Sequence, residues 1–273
     1  MAERENHKLS LWQEPGDTET RTEVSRESSF RFHCHPGLAC FNRCCREATL
    51  ILSPYDILRL NRRLGLSTGE FLRRHTRREE EAGSGLPLVL VRSARTGGCP
   101  FLGEAGCTVY TDRPASCRLF PLAQGSELTP GGVVDHFFLR RLTYCQGFAG
   151  EPEWTVATWQ VDQGFAGFDR PRRPWLRLLL GQALPGRTPP DDRILSQFYL
   201  MAYDLDAFRT FLFESAFLQV HGFSPEEAAP LQKDDLALLR FSAAYLEHLL
   251  FPEAAPPLKE ALKAVLADDT GLD

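Results

Sequence analysis

The sequence predicts a mainly α-helical protein with a loop-rich first half and a second half of amphipathic helices. Three observations carry this reading. All eight cysteines lie between Cys34 and Cys145. Short element signals, separated by glycines and prolines, fill the same stretch. Beyond it, Phe and Leu recur at helical spacing and no cysteine follows. The 273 residues suffice for one large domain or two small ones. We divide them into a polar, flexible N-terminus (residues 1–28), a cysteine-cluster module (29–150) and a helical C-terminal region (151–273).

Taken in order, the elements are justified locally. Ser53-Pro54-Tyr55-Asp56 combines a serine cap, a first-turn proline and an acid near the positive helix end. Ile57, Leu60 and Leu64 continue that helix and Gly65 stops it. Ser67-Thr68-Gly69-Glu70 is a capping box for a second helix carrying Phe71 and Leu72. In the run Arg73–Glu81, opposite charges three and four residues apart read as a solvated helix face rather than a nucleic-acid patch. Leu86–Val91 and Thr108–Tyr110 read as short strands, and Val133–Leu142 as a further strand. Asp112-Arg113-Pro114 reads as the start of a helix through Cys117, with Tyr110 in the core. Thr155–Val161 reads as a helix, and residues 169–192 as a short helix followed by a Pro/Gly-rich connection. Asp191-Asp192 opens one long amphipathic helix carrying Ile194, Phe198, Met201, Leu205, Phe208, Leu212 and Phe217, ended by Gly222. Ser224-Pro225-Glu226-Glu227 starts the next, Leu236 to Leu250 form another stripe, and a last helix spans residues 257–266. These stripes read as core.

Composition narrows the function classes. The net charge of −5 argues against a general nucleic-acid binder. The first residues lack the apolar core of a signal peptide, and no segment is long and apolar enough to span a membrane. A cytoplasmic protein is expected, with no nucleic-acid or membrane partner. There is no Walker loop, no GxSxG elbow, no HExxH and no CxxxCxxC. Gly97-Gly98-Cys99 is no dinucleotide fingerprint. Asp204 and Asp206 read as residues of a solvated helix face.

The chemistry lies in the thiols. FHCHPGLACFNRCC, residues 32–45, carries Cys34, Cys40, Cys44 and Cys45 in the spacing C-x5-C-x3-C-C, beside His33 and His35. CPFLGEAGCTVYTDRPASC, residues 99–117, adds Cys99, Cys107 and Cys117, and Cys145 completes the eight. Free thiolates so close would repel one another and invite oxidation, whereas a bound metal removes both problems. In a reducing cytosol, metal ligation is favoured over disulfides. Four thiolates is the requirement of a tetrahedral zinc site or an iron–sulfur cluster. The chain has no CxxC knuckle, and adjacent Cys44 and Cys45 diverge more easily toward separate metal atoms than toward one small ion. An iron–sulfur cluster, of the 4Fe–4S type, is therefore expected, with Zn2+ as the alternative. His33 and His35 remain candidate assisting ligands. Arg113 and Arg118 are candidates for charge balance near the thiolates, or for carboxylate pairing. The full fold expectation is mainly α: a loop-rich, metal-stapled cysteine-cluster module with a few short strands, packed on a helical C-terminal half.

These residues resemble the YkgJ-like, CxxCxxCC-type cysteine-cluster proteins. The resemblance rests on Cys34, Cys40, Cys44 and Cys45, then LSPYDILRL, Cys99-Pro100-Phe101-Leu102, Cys107-Thr108-Val109-Tyr110, Arg113-Pro114, Cys117 to Pro121, and Cys145 before Gly147. It covers roughly residues 30–150. This chain departs from the tighter C-x2-C-x2-CC of such proteins, which bears most on Cys34. The resemblance implies zinc or iron chelation by the eight cysteines. It extends to the cysteine-rich part of flagellin lysine N-methylases, which are associated with an iron–sulfur cluster and S-adenosylmethionine. Two functions are expected to compete. One is an iron–sulfur protein that transfers electrons or supports a methyl-transfer-type reaction with a redox or protein partner. The other is a zinc-binding interaction module without catalysis.

Overall fold

A computed structural model describes residues 19–94 and 97–267. About 49% of the described residues are helical, and the strands form small antiparallel sheets. The elements run β1 (Glu19–Val24), β2 (Ser29–Arg31), α1 (Arg43–Glu47), β3 (Ile51–Leu52), α2 (Pro54–Leu64), α3 (Thr68–His75), β4 (Thr76–Glu80) and β5 (Pro87–Val91). Next come β6 (Leu102–Gly103), β7 (Gly106–Cys107), α4 (Ala115–Leu119), β8 (Leu122–Thr129), β9 (Gly132–Leu142), β10 (Glu153–Thr155), α5 (Val156–Asp162) and α6 (Ala166–Gln182). The chain ends in α7 (Asp192–Tyr203), α8 (Leu205–Glu214), α9 (Phe217–Val220), α10 (Pro225–Lys233), α11 (Asp235–Leu250) and α12 (Leu258–Ala267). No described helix is long and apolar enough to cross a membrane.

Two compact units emerge, each discontinuous in sequence. The first comprises residues 1–51 and 90–169, the second residues 52–89 and 170–273. The divisions cut β3 and β5, so the helices around the LSPYDILRL motif belong with the C-terminal helices.

In the first unit, β9 is the central strand of a sheet ordered β1-β9-β8. Thr129 and Gly132 (φ +110°) close the β8–β9 hairpin, the Thr129 hydroxyl donating to the Gly132 carbonyl. His136 on β9 stands between Glu23 of β1 and Glu127 of β8, at 3.0 and 3.1 Å. Arg140 donates two hydrogen bonds to Glu19 across the β1–β9 pair. β1 therefore gives residues 19–24 an ordered place in a stretch expected to lie loosely; residues 1–18 of that stretch lie outside the described residues. The core of this unit is aromatic. Phe32 is 3% exposed and meets Phe120, Phe148 and Trp159 at ring distances of 5.7, 5.2 and 5.7 Å, edge to face. Trp154 and Trp159 hold this cluster to the backbone by donating to the carbonyls of Phe32 and Leu119, each at 3.0 Å.

The second unit follows the helix signals closely. Ser53, Ser67 and Ser224 each cap a helix through a reciprocal capping box, with Asp56, Glu70 and Glu227 as the third residues. Gly65 ends α2 at φ +64°, a conformation that glycine adopts without strain. Phe198, Phe208, Leu212, Leu238 and Phe241 are fully buried, each contributing roughly 1.5–3 kcal/mol of transfer free energy. Tyr203, also buried, accepts from the Trp175 indole and donates to the Pro87 carbonyl.

Several expectations are corrected. The long helix from Asp191 is three helices, because Asp204 (φ −103°, ψ 75°) breaks it and caps α8, and Ser215 interrupts it again. Asp204 and Asp206 are not a solvated face: Thr68 donates to Asp204 through its hydroxyl (2.6 Å) and to Asp206 through its amide (2.8 Å). The charged run from Arg73 leaves the helix at His75 and continues as strand β4, whose charges are still exposed. Thr108 and Val109 form a turn rather than a strand, since the short pairing ends at Cys107. Pro114, not Asp112, is the cap of α4. The helix after residue 165 is longer than expected and contains Pro171 and Pro174. Tyr110 is 60% exposed, its ring under the Arg113 guanidinium at 3.9 Å.

Candidate metal centre

All eight cysteines belong to the first unit and all are free thiols. Cys34 is exposed and the other seven are half-buried, between surface and core.

The local frame delivers them from four places. Phe32 is the anchor behind Cys34. Its amide donates to the Pro152 carbonyl and the next amide, of His33, to the Gly147 carbonyl at 2.9 Å. A β-carbon built on Gly147 would lie 2.7 Å from the Phe32 ring, so only glycine permits this approach. Cys145 follows β9 by one turn, its amide bonded to the Leu142 carbonyl. Cys40 lies beside it, because the Gln146 amide donates to Cys40 Sγ at 3.3 Å. Cys44 and Cys45 sit on α1, a five-residue helix with no buried side chain, entered through Asn42 at φ +64°. The third place is the Cys99 loop. The Cys99 amide donates to the Cys45 carbonyl at 3.0 Å. Gly98 (φ +79°) makes that contact possible, since a β-carbon there would lie 2.7 Å from Arg46 Cα. The β6–β7 hairpin then sets Cys107 opposite Leu102. The fourth place is α4, which carries Cys117.

Electrostatics shows which thiols are neighbours. Burial first, then the charges of Cys44, Cys145 and Cys40, push Cys34 up to about 11. Burial likewise raises Cys145, with Cys40 and Cys44 as its charged neighbours. Cys45 donates its S–H to Cys44, which with backbone amides and the charge of Arg140 draws Cys44 down to about 7 despite its burial. Cys45 is raised by the same bond, by burial, and by Cys44, Cys117 and Cys99. Burial raises Cys99, whose neighbour is Cys107. Cys34, Cys40, Cys44 and Cys145 are thus neighbours, Cys45 neighbours Cys99 and Cys117, Cys107 stands beside Cys99, and the Cys44–Cys45 bond joins the two groups.

The donor set fits a metal centre in its chemistry. Eight soft sulfurs, backbone N–H groups on Cys40, Cys99 and Cys145, and glycine-dependent loops suit zinc or iron. No group of three or more His, Cys, Asp or Glu side chains among the described residues is closed in tightly enough to hold an ion. His33 and His35 lie against each other, ring centroids 4.8 Å apart, and His35 Nδ1 accepts from the Gly37 amide. Arg113 and Arg118, candidates for charge balance or carboxylate pairing, are held by carbonyls and a glutamine. Arg113 donates to the Tyr110 carbonyl and the Gln163 side chain, and Arg118 to the carbonyls of Arg113, Gln163 and Thr111. They clamp the α4 loop to the segment after α5. A cation acting on Cys44 is Arg140. Sequence reasoning missed it, and also passed over Gly98, whose only visible signal was its place beside Cys99.

The family comparison agrees with this inventory. Residues 33–146 match the model of CxxCxxCC, described as "Putative zinc- or iron-chelating domain". No curated protein and no solved structure matches the chain. The match begins one residue before Cys34 and ends one residue after Cys145, so it contains every cysteine of the chain. Over these residues, fewer than half of its length, the chain is similar to the CxxCxxCC domains described as zinc- or iron-chelating.

Proposed function

We propose that the eight cysteines hold iron–sulfur chemistry of the 4Fe–4S class, and that the protein transfers electrons or supports a methyl-transfer-type reaction with a redox or protein partner. The observation that carries this reading is the Cys44–Cys45 pair. Its two sulfurs are hydrogen-bonded to each other, yet Cys44 also neighbours Cys34 and Cys145 while Cys45 also neighbours Cys99 and Cys117, so the pair stands where the thiols of both loops meet, a place suited to ligands of different metal atoms. When bound, such a core supplies electron exchange. The chain's part is to hold thiolates, to place amides of residues such as Gln146 on sulfur, and to set Arg140 beside Cys44. Each of these favours the negatively charged form of the centre. Reduced thiols in this number suit a cytoplasmic location.

A second reading is zinc. Sets of four thiols match the tetrahedral demand of structural zinc, and the protein is then an interaction module without catalysis. Anaerobic purification with iron, zinc and acid-labile sulfide analysis separates the two. Iron and sulfide together, with a broad visible absorption bleached by dithionite, are the expected result. A colourless protein with stoichiometric zinc and no sulfide, even when prepared without oxygen, ends the iron–sulfur reading.

A further inference from the structure

We propose that the cysteines build two separate four-thiolate metal sites whose membership crosses chain order: Cys34, Cys40, Cys44 and Cys145 in one, Cys45, Cys99, Cys107 and Cys117 in the other. This rests on the metal-centre reading above and goes beyond it by assigning each ligand to a site. A division by sequence would place Cys34 to Cys45 together and Cys99 to Cys145 together. The fold exchanges one member each way.

Three features produce the exchange. Helix α1 carries both members of the adjacent pair, and successive helical side chains project about 100° apart, so the two sulfurs, joined here by an S–H bond, can turn to different neighbours once both are thiolates. On one side lies the chain end of β9. The Gln146 amide on Cys40 Sγ and the His33 amide on the Gly147 carbonyl draw Cys145 to the N-terminal cysteines. On the other side lies the Cys99 loop. It is bonded to the Cys45 backbone across Gly98, its hairpin places Cys107, and Cys117 is a charged neighbour of Cys45. Each side supplies four sulfurs, the number a tetrahedral ion or a cubane cluster takes. Closing either set takes movement of side chains and of the loops that carry them, since no three of the described thiols are gathered at one point.

The full-length chain, reduced and loaded with 113Cd2+ as the probe, tests the assignment directly. Two cadmium resonances in the tetrathiolate range are expected. Correlation to cysteine β-protons should join one to residues 34, 40, 44 and 145, and the other to residues 45, 99, 107 and 117. The assignment is overturned if Cys44 and Cys45 share a cadmium, if Cys145 joins the cadmium of Cys117, or if no cadmium binds. Metal counts on variants give a second readout. C40S/C145S and C107S/C117S should each keep about half of the bound metal, whereas C40S/C107S should keep almost none. Equal loss in all three overturns the division into two sites. Half-loading with zinc and no sulfide leaves the two sites standing and ends the iron–sulfur reading. Iron and sulfide held by a single set of four ends the two-site assignment and leaves that reading intact.

Discussion

Two helices, α1 of the first unit and α2 of the second, begin in contrasting ways. In the second, α2 opens on a reciprocal Ser53–Asp56 box and buries seven of its residues. In the first, α1 opens on a left-handed Asn42, has no side-chain cap and buries none. A capped helix with an apolar stripe is stabilised by its own local bonds and by burial. A five-residue uncapped helix is not, and propensity cannot sustain it at that length. The contrast teaches where each unit finds its order. The second relies on a core of Phe and Leu. The first has an aromatic core around Phe32, but its cysteine loops lie outside that core and depend on glycine contacts, backbone bonds and the metal they collect.

The sharpest way to break this comparison is to remove the metal. Stripping the reduced protein with a chelator should abolish most hydrogen-exchange protection in residues 32–47 and 97–121, a loss of several kcal/mol on the order of structural metal binding. Protection in α7 and α11 should persist, read peptide by peptide by mass spectrometry. Uniform loss across both units would show that the second does not stand on its core alone.

The reverse experiment attacks that core. Phe241 is fully buried on α11 and packs edge to face with Phe223 at 5.8 Å. F241A should cost about 3–5 kcal/mol in urea unfolding followed by helical circular dichroism. Metal content per folded molecule should not change. A parallel fall in metal content would deny the separation.

A smaller effect sharpens the account of the loops. G98A should destabilise by about 2–3 kcal/mol, because it adds the strain of a positive φ to a close contact with Arg46. G97A, also at positive φ but with open space around it, should cost only about 1–2 kcal/mol. Metal bound on the Cys45 side should fall for G98A alone. Equal behaviour of the two variants in thermal melts and metal counts would remove the close approach as a cause.

The smallest effect concerns β1. Burial raises the Glu19 carboxyl, but hydrogen bonds and charge from Arg140 and Arg21 outweigh it and leave it below its ordinary value of 4.5. A depressed carboxylate contributes stability that is present above the unfolded value and lost as pH falls through the folded one. E19Q should therefore lower stability by about 1 kcal/mol near neutral pH. The difference from the unaltered protein should shrink as pH drops below 4.5. Melting curves that differ by the same amount at pH 7 and pH 3 would contradict the sign.

How much of this was legible beforehand differs by residue. The boxes at Ser53, Ser67 and Ser224 were readable because each joins residues three apart. The break at Asp204 was not, since the apolar spacing continues through it while its side chain bonds Thr68, 136 residues away. The bonds of Arg113 and Arg118 were hidden for a similar reason: an arginine near cysteines suggests charge balance or a carboxylate partner, and nothing local announces the carbonyls of residues 110–113 and 163 that they reach. β1 escaped notice because a polar, alternating hexapeptide becomes a strand only beside β9.

The amino-acid order alone established the thiol inventory, the capped helix starts and the likeness of the cysteine-bearing segment to CxxCxxCC domains, because these depend on residue type and short spacing. Which sulfurs are neighbours was decided by tertiary structure. Cys40 meets the Gln146 amide across 106 residues, and the Cys99 amide meets the Cys45 carbonyl. Contacts at such separations depend on where β9 ends, on the missing β-carbons of Gly98 and Gly147, and on the Phe32 core, and no local pattern encodes those distances.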